Sequence, residues 1–282
     1  MHVSAKYINL NGTLHDLAKP AVMGIVNITP DSFFADSRYE TEKAIVERTE
    51  QILAEGGLLI DVGAYSSRPD AVNITPEEEW KRLRFALSAI KKTAPNAAIS
   101  VDTFRAEIAR KAYDEFGIAM INDISGGELD PKMFETVGKL RIPYVMMHMR
   151  GTPQTMQQHC EYSNLIQEVI FYFSKKIEAL RRFGACDIIL DPGFGFSKTV
   201  DQNYELLHNL PALGVLDLPI LAGVSRKSMI YKTLDCKPEE SLNGTTVLNT
   251  LAIVKGANIL RVHDVKEAVE TVKLVTKTEK IC

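Results

Sequence analysis

The sequence is poor in cysteine and tryptophan, carries little net charge and has no long apolar run. Its four cysteines, Cys160, Cys186, Cys236 and Cys282, are scattered without a C-x-x-C pair. That spacing excludes a zinc ribbon and a disulfide framework, and it suits a reducing, cytoplasmic setting. A net charge of -3 over 282 residues gives no footprint for nucleic acid or for an anionic membrane. Any anion must therefore be met by a local site. No stretch approaches the ~18 apolar residues of a membrane span, and the first residues, Met1 to Leu14, lack a signal-peptide core. The sequon Asn73-Ile74-Thr75 has no use in such a compartment. The only tryptophan, Trp80, shares a helical stripe with Leu83, Leu87 and Ile90 and reads as packing.

What is present is ordinary in amount and regular in order. Hydrophobic residues make up 45% and charged residues 24%, the balance of a folded globule. The length is near the ~250 residues of one parallel barrel, so a single domain over residues 1–282 is expected. Short apolar runs alternate with helical patterns: Val22 to Val26, Leu58 to Val62, Ala98 to Val101, Met120-Ile121, Tyr144 to Met147, Ile188 to Leu190, Ile220 to Val224 and Ile259-Leu260. Eight such units predict an α/β fold, a (β/α)8 TIM barrel. Ahead of them, Asn11-Gly12 between two short apolar segments predicts an N-terminal β-hairpin that lids the closed end. Thr75-Pro76-Glu77-Glu78 has the composition of a helix start.

Nearly every strand ends on a polar group: Asn27, Asp61, Asp102, Asn122, His148, Asp191, Lys227 and His263. An open sheet would gather its ligand groups at one switch point, whereas a barrel displays them around one rim. The key stretch is Leu190-Asp191-Pro192-Gly193-Phe194-Gly195-Phe196, where a carboxylate stands at a sharp turn. Carboxylates at Asp102 and Asp191 can each accept two parallel hydrogen bonds from a guanidine-like ring edge of a guanine or pterin. Asn122 supplies a donor and an acceptor, and Lys227 a charged donor for a ring carbonyl or nitrogen. Ile124, Met146, Met147 and Phe196 are candidates to wall the ring faces. Arg261 and His263 alternate on the last strand, where barrels hold phosphate, and with Asn27 they can bracket a diphosphate. Asn27 also offers an oxygen to magnesium, which takes few protein ligands and fills its shell with phosphate and water.

Blander readings stand beside these. A strand-end aspartate often caps the next helix, His148 and its neighbouring methionines can be core, and Arg261 and His263 can be a solvated strand end beside Asp264. Gly193-Phe194-Gly195 lacks the third glycine of a dinucleotide loop, and Gly223 to Ser228 lacks the glycine of a Walker loop.

Taken in order, Asn27-Ile-Thr-Pro-Asp-Ser-Phe33, Asp61-Val-Gly63, Ser67-Arg68-Pro69, Ser100-Val-Asp-Thr103, Ile121-Asn-Asp-Ile124, Asp191 to Phe196, Ser225-Arg-Lys-Ser228 and Arg261 to Val265 resemble the dihydropteroate synthases of folate biosynthesis. The resemblance implies a barrel, a homodimer, and a transferase joining 6-hydroxymethyl-7,8-dihydropterin diphosphate to 4-aminobenzoate with release of diphosphate; it also implies a sulfonamide target. It implies a pterin pocket of Asp102, Asn122, Asp191 and Lys227, and a diphosphate site of Arg261 and His263. It further implies Mg²⁺ on Asn27 and a 4-aminobenzoate region of Phe33, Ser67, Arg68, Pro69 and Ser228. Asp102, Arg68, Lys227 and Arg261 are then the catalytic candidates. Against the usual pattern, Tyr65 replaces an acid, Ser67 a threonine and Asp70 a glycine. Phe34-Ala35-Asp36 is also unusual and leaves Asp31 and Asp36 as alternative helpers of the metal. A pterin-dependent methyltransferase and a non-catalytic pterin-binding protein are the competing readings.

Overall fold

The computed structural model describes residues 6–28, 38–66 and 73–279. Asn11 and Gly12 both take positive φ, 52° and 83°, as a two-residue hairpin turn requires. They join β1 (Tyr7–Leu10) to β2 (Thr13–Asp16) in an antiparallel ribbon. Eight parallel strands follow: β3 (Ala21–Asn27), β4 (Leu59–Gly63), β5 (Ala98–Asp102), β6 (Met120–Asp123), β7 (Tyr144–Met147), β8 (Ile188–Asp191), β9 (Leu221–Ala222) and β10 (Ile259–Val262). Their order is β8-β7-β6-β5-β4-β3-β10-β9, and a parallel bridge between Leu190 and Ile220 closes the seam. The expected barrel and hairpin are both present.

Side chains alternate between the two faces of this sheet. Met23, Leu59, Met120, Val145, Ile189, Leu221 and Ile259 fill the lower interior, together with Ile8, Leu10 and Leu17 from the hairpin. The hairpin therefore plugs the end opposite the strand C-termini. Tyr144, Met146 and Leu190 face the other way, into the large core under the helices. The helices among the described residues are α1 (Arg38–Ala54), α2 (Pro76–Thr93), α3 (Ala106–Phe116), α4 (Met133–Leu140), α5 (Leu165–Arg182), α6 (Val200–His208), α7 (Ser228–Tyr231), α8 (Leu242–Val254) and α9 (Val265–Glu279). None is long and apolar enough to cross a membrane.

Local chemistry accounts for the boundaries. Thr75 Oγ1 accepts from the Glu78 N–H at 3.3 Å, and Pro76 opens α2, so one free donor is satisfied and another is absent by construction. Trp80 is partly buried and packs on Phe116 with ring centroids 6.3 Å apart. One expectation shifts. The seventh barrel strand is only Leu221–Ala222 rather than Ile220 to Val224, so Lys227 sits in a loop at the start of α7 instead of on a strand end.

Candidate active site

The upper interior of the barrel is polar because the inward positions there are Asp61, Ser100, Asp102, Asn122, Asp191 and Arg261. Asp61 is fully buried, and its Oδ2 accepts from Asn122 Nδ2 at 3.0 Å and from Arg261 Nε at 2.6 Å. Arg261 Nη2 donates to Asp102 Oδ2 at 2.9 Å. One guanidinium thus ties three strands, β4, β5 and β10, while the amide adds β6. Arg261 and Asp102 keep about a fifth of their side-chain surface exposed, 20% and 19%, so this network faces the opening. Asp61 Oδ1 and Ser100 Oγ are buried without a partner, on positions paired directly across β4 and β5.

The second half of the rim comes from the turn after β8. Asp191 Oδ1 accepts from the Gly193 N–H at 2.8 Å. Gly193 (φ 72°) is compelled, since a Cβ there would lie 2.1 Å from the His148 carbonyl oxygen. Lys227 Nζ donates to the Phe194 carbonyl oxygen and lies 4.5 Å from the Phe196 ring centroid. Phe196 packs with Ile124, Met147, Met149, Met156 and Phe104 in a small apolar cluster of its own.

These positions perturb the ionisable groups. Burial lifts Asp102 to about 7, against the pull of Arg261, and Asp61 adds to the rise. Asp191 is also raised by burial, with Lys227 and the Gly193 N–H drawing it back. Burial lowers Lys227 to about 8, with Asp191 opposing. Burial alone would lower Arg261, but the carboxylates of Asp61 and Asp102 hold it above the usual arginine range. Groups that titrate near neutrality on one rim are a mark of chemistry.

His263 follows the end of β10. Its Nδ1 lies 3.0 Å from Ser225 Oγ, and burial, then Arg261 and Arg226, depress it to about 4. It lines a cavity of about 460 Å³ with Asn27, Arg48, Arg226, Asp264 and Lys266. Asn27 is exposed at the end of β3. Arg226 is bound to Asp264 by both Nε, at 3.0 Å, and Nη2, at 2.5 Å. Arg261 and His263 are electrostatic neighbours, yet Arg261 is engaged by the two aspartates rather than turned to this cavity.

Asn27, Asp102, Asn122, Ile124, Asp191, Phe196, Lys227, Arg261 and His263 all stand on the strand C-terminal side. Ser228 opens α7, whose four residues make a weak anion site by themselves. Met146 is corrected: it faces the helix-side core, and Met147 is the residue that joins Ile124 and Phe196. The reason is parity, because Asn122 pairs with Val145, which puts residues 145 and 147 inside. Phe33, Ser67, Arg68 and Pro69, with Asp31 and Asp36, lie outside the described residues. Asp61 stands among the strand-end polar groups of the sequence but without an assigned role, and Lys198 is not among the candidates. A lone acid within Leu59-Ile60-Asp61-Val62 was the available signal for the first; nothing in the spacing marks the second.

The sequence pattern of the family described as pterin binding enzyme matches residues 23–263. Dihydropteroate synthase of Synechocystis is 40% identical over 266 residues, covering 93% of this chain and 91% of its own. That of Escherichia coli K12 is 39% identical over 269 residues, covering 95% and 94%. Among solved structures, Xanthomonas albilineans dihydropteroate synthase with 4-aminobenzoic acid superposes with a TM-score of 0.89 at 34% identity, covering 98% of this chain and 99% of that one. The Yersinia pestis enzyme in a sulfonamide drug complex gives 0.88 at 34% identity, covering 98% and 100%. A rim of this composition, matched along the whole barrel, places the chain in the pterin-binding enzyme family, among the dihydropteroate synthases.

Proposed function

We propose that the barrel mouth binds 6-hydroxymethyl-7,8-dihydropterin diphosphate and 4-aminobenzoate and joins them, with diphosphate leaving before the amine attacks. The observation that carries this reading is the shared network of Asp61, Asn122, Arg261 and Asp102. It sets ring-edge acceptors and an anion-binding guanidinium within one hydrogen-bonded unit. Asp102, Asn122, Asp191 and Lys227 grip the pterin, with Ile124, Met147 and Phe196 against its faces. Arg261 and His263 take the diphosphate. His263 is neutral in the free protein, so it donates to the anion through one ring N–H rather than as a cation.

Positive charge developing on the ring as the anion departs is met by the carboxylates of Asp102 and Asp191. Electrostatic stabilisation of this kind is commonly worth ~10²–10³ in rate per contact. The neutral aniline nitrogen needs no strong base. Arg68, with Phe33, Ser67, Pro69 and Ser228, is assigned to the 4-aminobenzoate side and to exclusion of water.

Mg²⁺ fits the donor set. Asn27 brings one exposed amide oxygen to a polar cavity, and no group of three or more His, Cys, Asp or Glu forms a protein cage among the described residues. A single protein oxygen suits an ion whose remaining ligands are phosphate and water. When bound, the ion neutralises diphosphate charge and improves it as a leaving group. A homodimer is supported by α8, where Val247, Leu251 and Val254 recur on one face at 49%, 40% and 62% exposure. The free thiols of Cys160, Cys186 and Cys236 agree with a cytoplasmic location.

The test is mass-spectrometric detection of dihydropteroate after mixing the protein with both substrates and Mg²⁺, with the metal omitted in a control. Asp102→Asn and Arg261→Ala should each lower the rate by about 10²–10³-fold. Rates within about threefold of wild type for both would overturn the assignment.

A further inference from the structure

The turn that carries Asp191 and Phe196 is an improbable backbone. Gly193 and Gly195 adopt positive φ, 72° and 82°, as glycine readily does, but Ser197 does so at 45°, where a residue with a side chain is disfavoured, so local preference alone does not hold the turn. Lys198 does. Its side chain is nearly fully buried, and Nζ donates to the Gly193 carbonyl oxygen at 3.1 Å and the Phe196 carbonyl oxygen at 3.0 Å; it also lies 3.0 Å from His148 Nδ1. Three acceptors match the three N–H bonds of an ammonium. Burial keeps His148 well below the usual histidine range, so its Nδ1 is an acceptor with the proton on the other nitrogen. Asn203 Oδ1 takes the Gly195 N–H at 2.6 Å, and Lys227 takes the Phe194 carbonyl oxygen from the ligand side. The turn is held between two lysines, one facing the mouth and one beneath.

We propose that Lys198 is a positioning residue: its buried ammonium clasps the Gly193 and Phe196 carbonyls so that Asp191 and Phe196 meet the pterin at the correct height. The inference rests on the pterin reading of the rim. Because that reading assigns Asp191 and Phe196 to the pterin, the effect of Lys198 falls first on that substrate. A charge is also left beside Asp191, which helps to keep that carboxyl ionised. Burial lowers Lys198 itself to about 7, with Asp191 as the chief opposing influence.

The experiment is steady-state kinetics of Lys198→Met, with both substrates varied and folding checked by circular dichroism and melting. Removing hydrogen bonds from a charged donor predicts a KM for the pterin diphosphate raised on the order of 10–100-fold. The KM for 4-aminobenzoate should move by less than about threefold. A folded Lys198→Met protein with both KM values unchanged, or with both raised alike, overturns the proposal. Lys198→Ala with and without added n-propylamine gives a second arm: recovery of pterin affinity supports a clasp, and no recovery refutes it. Asp191→Asn separates the two levels. If it leaves the pterin KM unaltered, the pocket reading fails; if it raises that KM while Lys198→Met does not, only the positioning role fails.

Discussion

Breaking the Asp61–Arg261 pair tests whether the rim is one electrostatic unit. Asp61 is fully buried and receives Arg261 Nε at 2.6 Å, whereas Arg261 is 20% exposed and keeps a second partner, Asp102, at 2.9 Å. The two single substitutions are therefore unequal. Arg261→Met strands a buried carboxylate whose remaining donor among the described residues is the Asn122 amide, at about 3–5 kcal/mol. Asp61→Asn removes a charge-assisted bond but leaves Arg261 paired and partly hydrated, at about 1.5–3 kcal/mol. The double variant has neither buried charge and should lose about 3 kcal/mol, well short of the summed singles, which gives a coupling of about 1.5–5 kcal/mol. The assay is equilibrium urea unfolding without ligands, followed by circular dichroism and by Trp80 fluorescence. Coincident transitions with a constant slope license the comparison. Additivity within about 0.5 kcal/mol would refute the reasoning, since independent sites add to that precision.

Three further outcomes follow from the same geometry. For wild type, kcat/KM for the pterin diphosphate should rise through about 7 as Asp102 ionises and fall above about 8 as Lys227 loses its proton; Asp102→Asn should lose the acid limb, and a flat profile from about pH 6 to 9 would contradict both roles. Gly193→Ala places a Cβ 2.1 Å from the His148 carbonyl oxygen at a φ of +72°, so the turn must move. The expected loss in kcat/KM is at least about 10²-fold, and near-normal turnover would show that the turn's height is unimportant. Leu251→Glu with Val254→Glu puts charges on the apolar face of α8 and should yield a monomer by light scattering; a particle of doubled mass would mean that any dimer uses another face.

The architecture was legible because its signals are local and repeated. Apolar runs, turn residues and the Asn11-Gly12 hairpin each announce their own element, and eight repetitions suggest closure. The rim was legible for a similar reason, since a polar residue at the end of an apolar strand stands out. What failed to appear was set by register and by distant contacts. Met146 and Met147 are indistinguishable in sequence, and only the pairing of Asn122 with Val145 decides which one faces the ligand. Glu79, next to the acids Glu77 and Glu78 at the start of α2 but not singled out in the sequence, is fully buried and is bonded to Thr103 and Arg105. Its place on the stripe with Leu83, Leu87 and Ile90 was the overlooked clue. Lys198 could not be found, because its partners Gly193, Phe196 and His148 meet it only after the turn folds.

On the proposed reading, the charges of the barrel mouth explain why separation of the substrate into cation and anion is favoured there. Asp61, Asp102 and Asp191 stand against Arg261, Lys227 and Lys198, so the free rim is close to balanced when all six are ionised. A neutral pterin with an anionic tail gains from the cations on binding, and the carboxylates contribute little until the ring turns positive. They then act on a charge absent from the ground state, which is the condition for lowering the barrier rather than only tightening binding. Arg261 links the two events. Its Nε is held by Asp61 and its Nη2 by Asp102, so a diphosphate that draws Nη2 away releases Asp102 to the ring. At an effective dielectric of ~20, two unit charges ~4 Å apart interact by about 4 kcal/mol. Gaining one such contact as the pterin cation develops is therefore enough to account for the ~10²–10³ rate effect expected of Asp102, while Asp61, buried and still bonded to Nε, keeps the guanidinium on the rim.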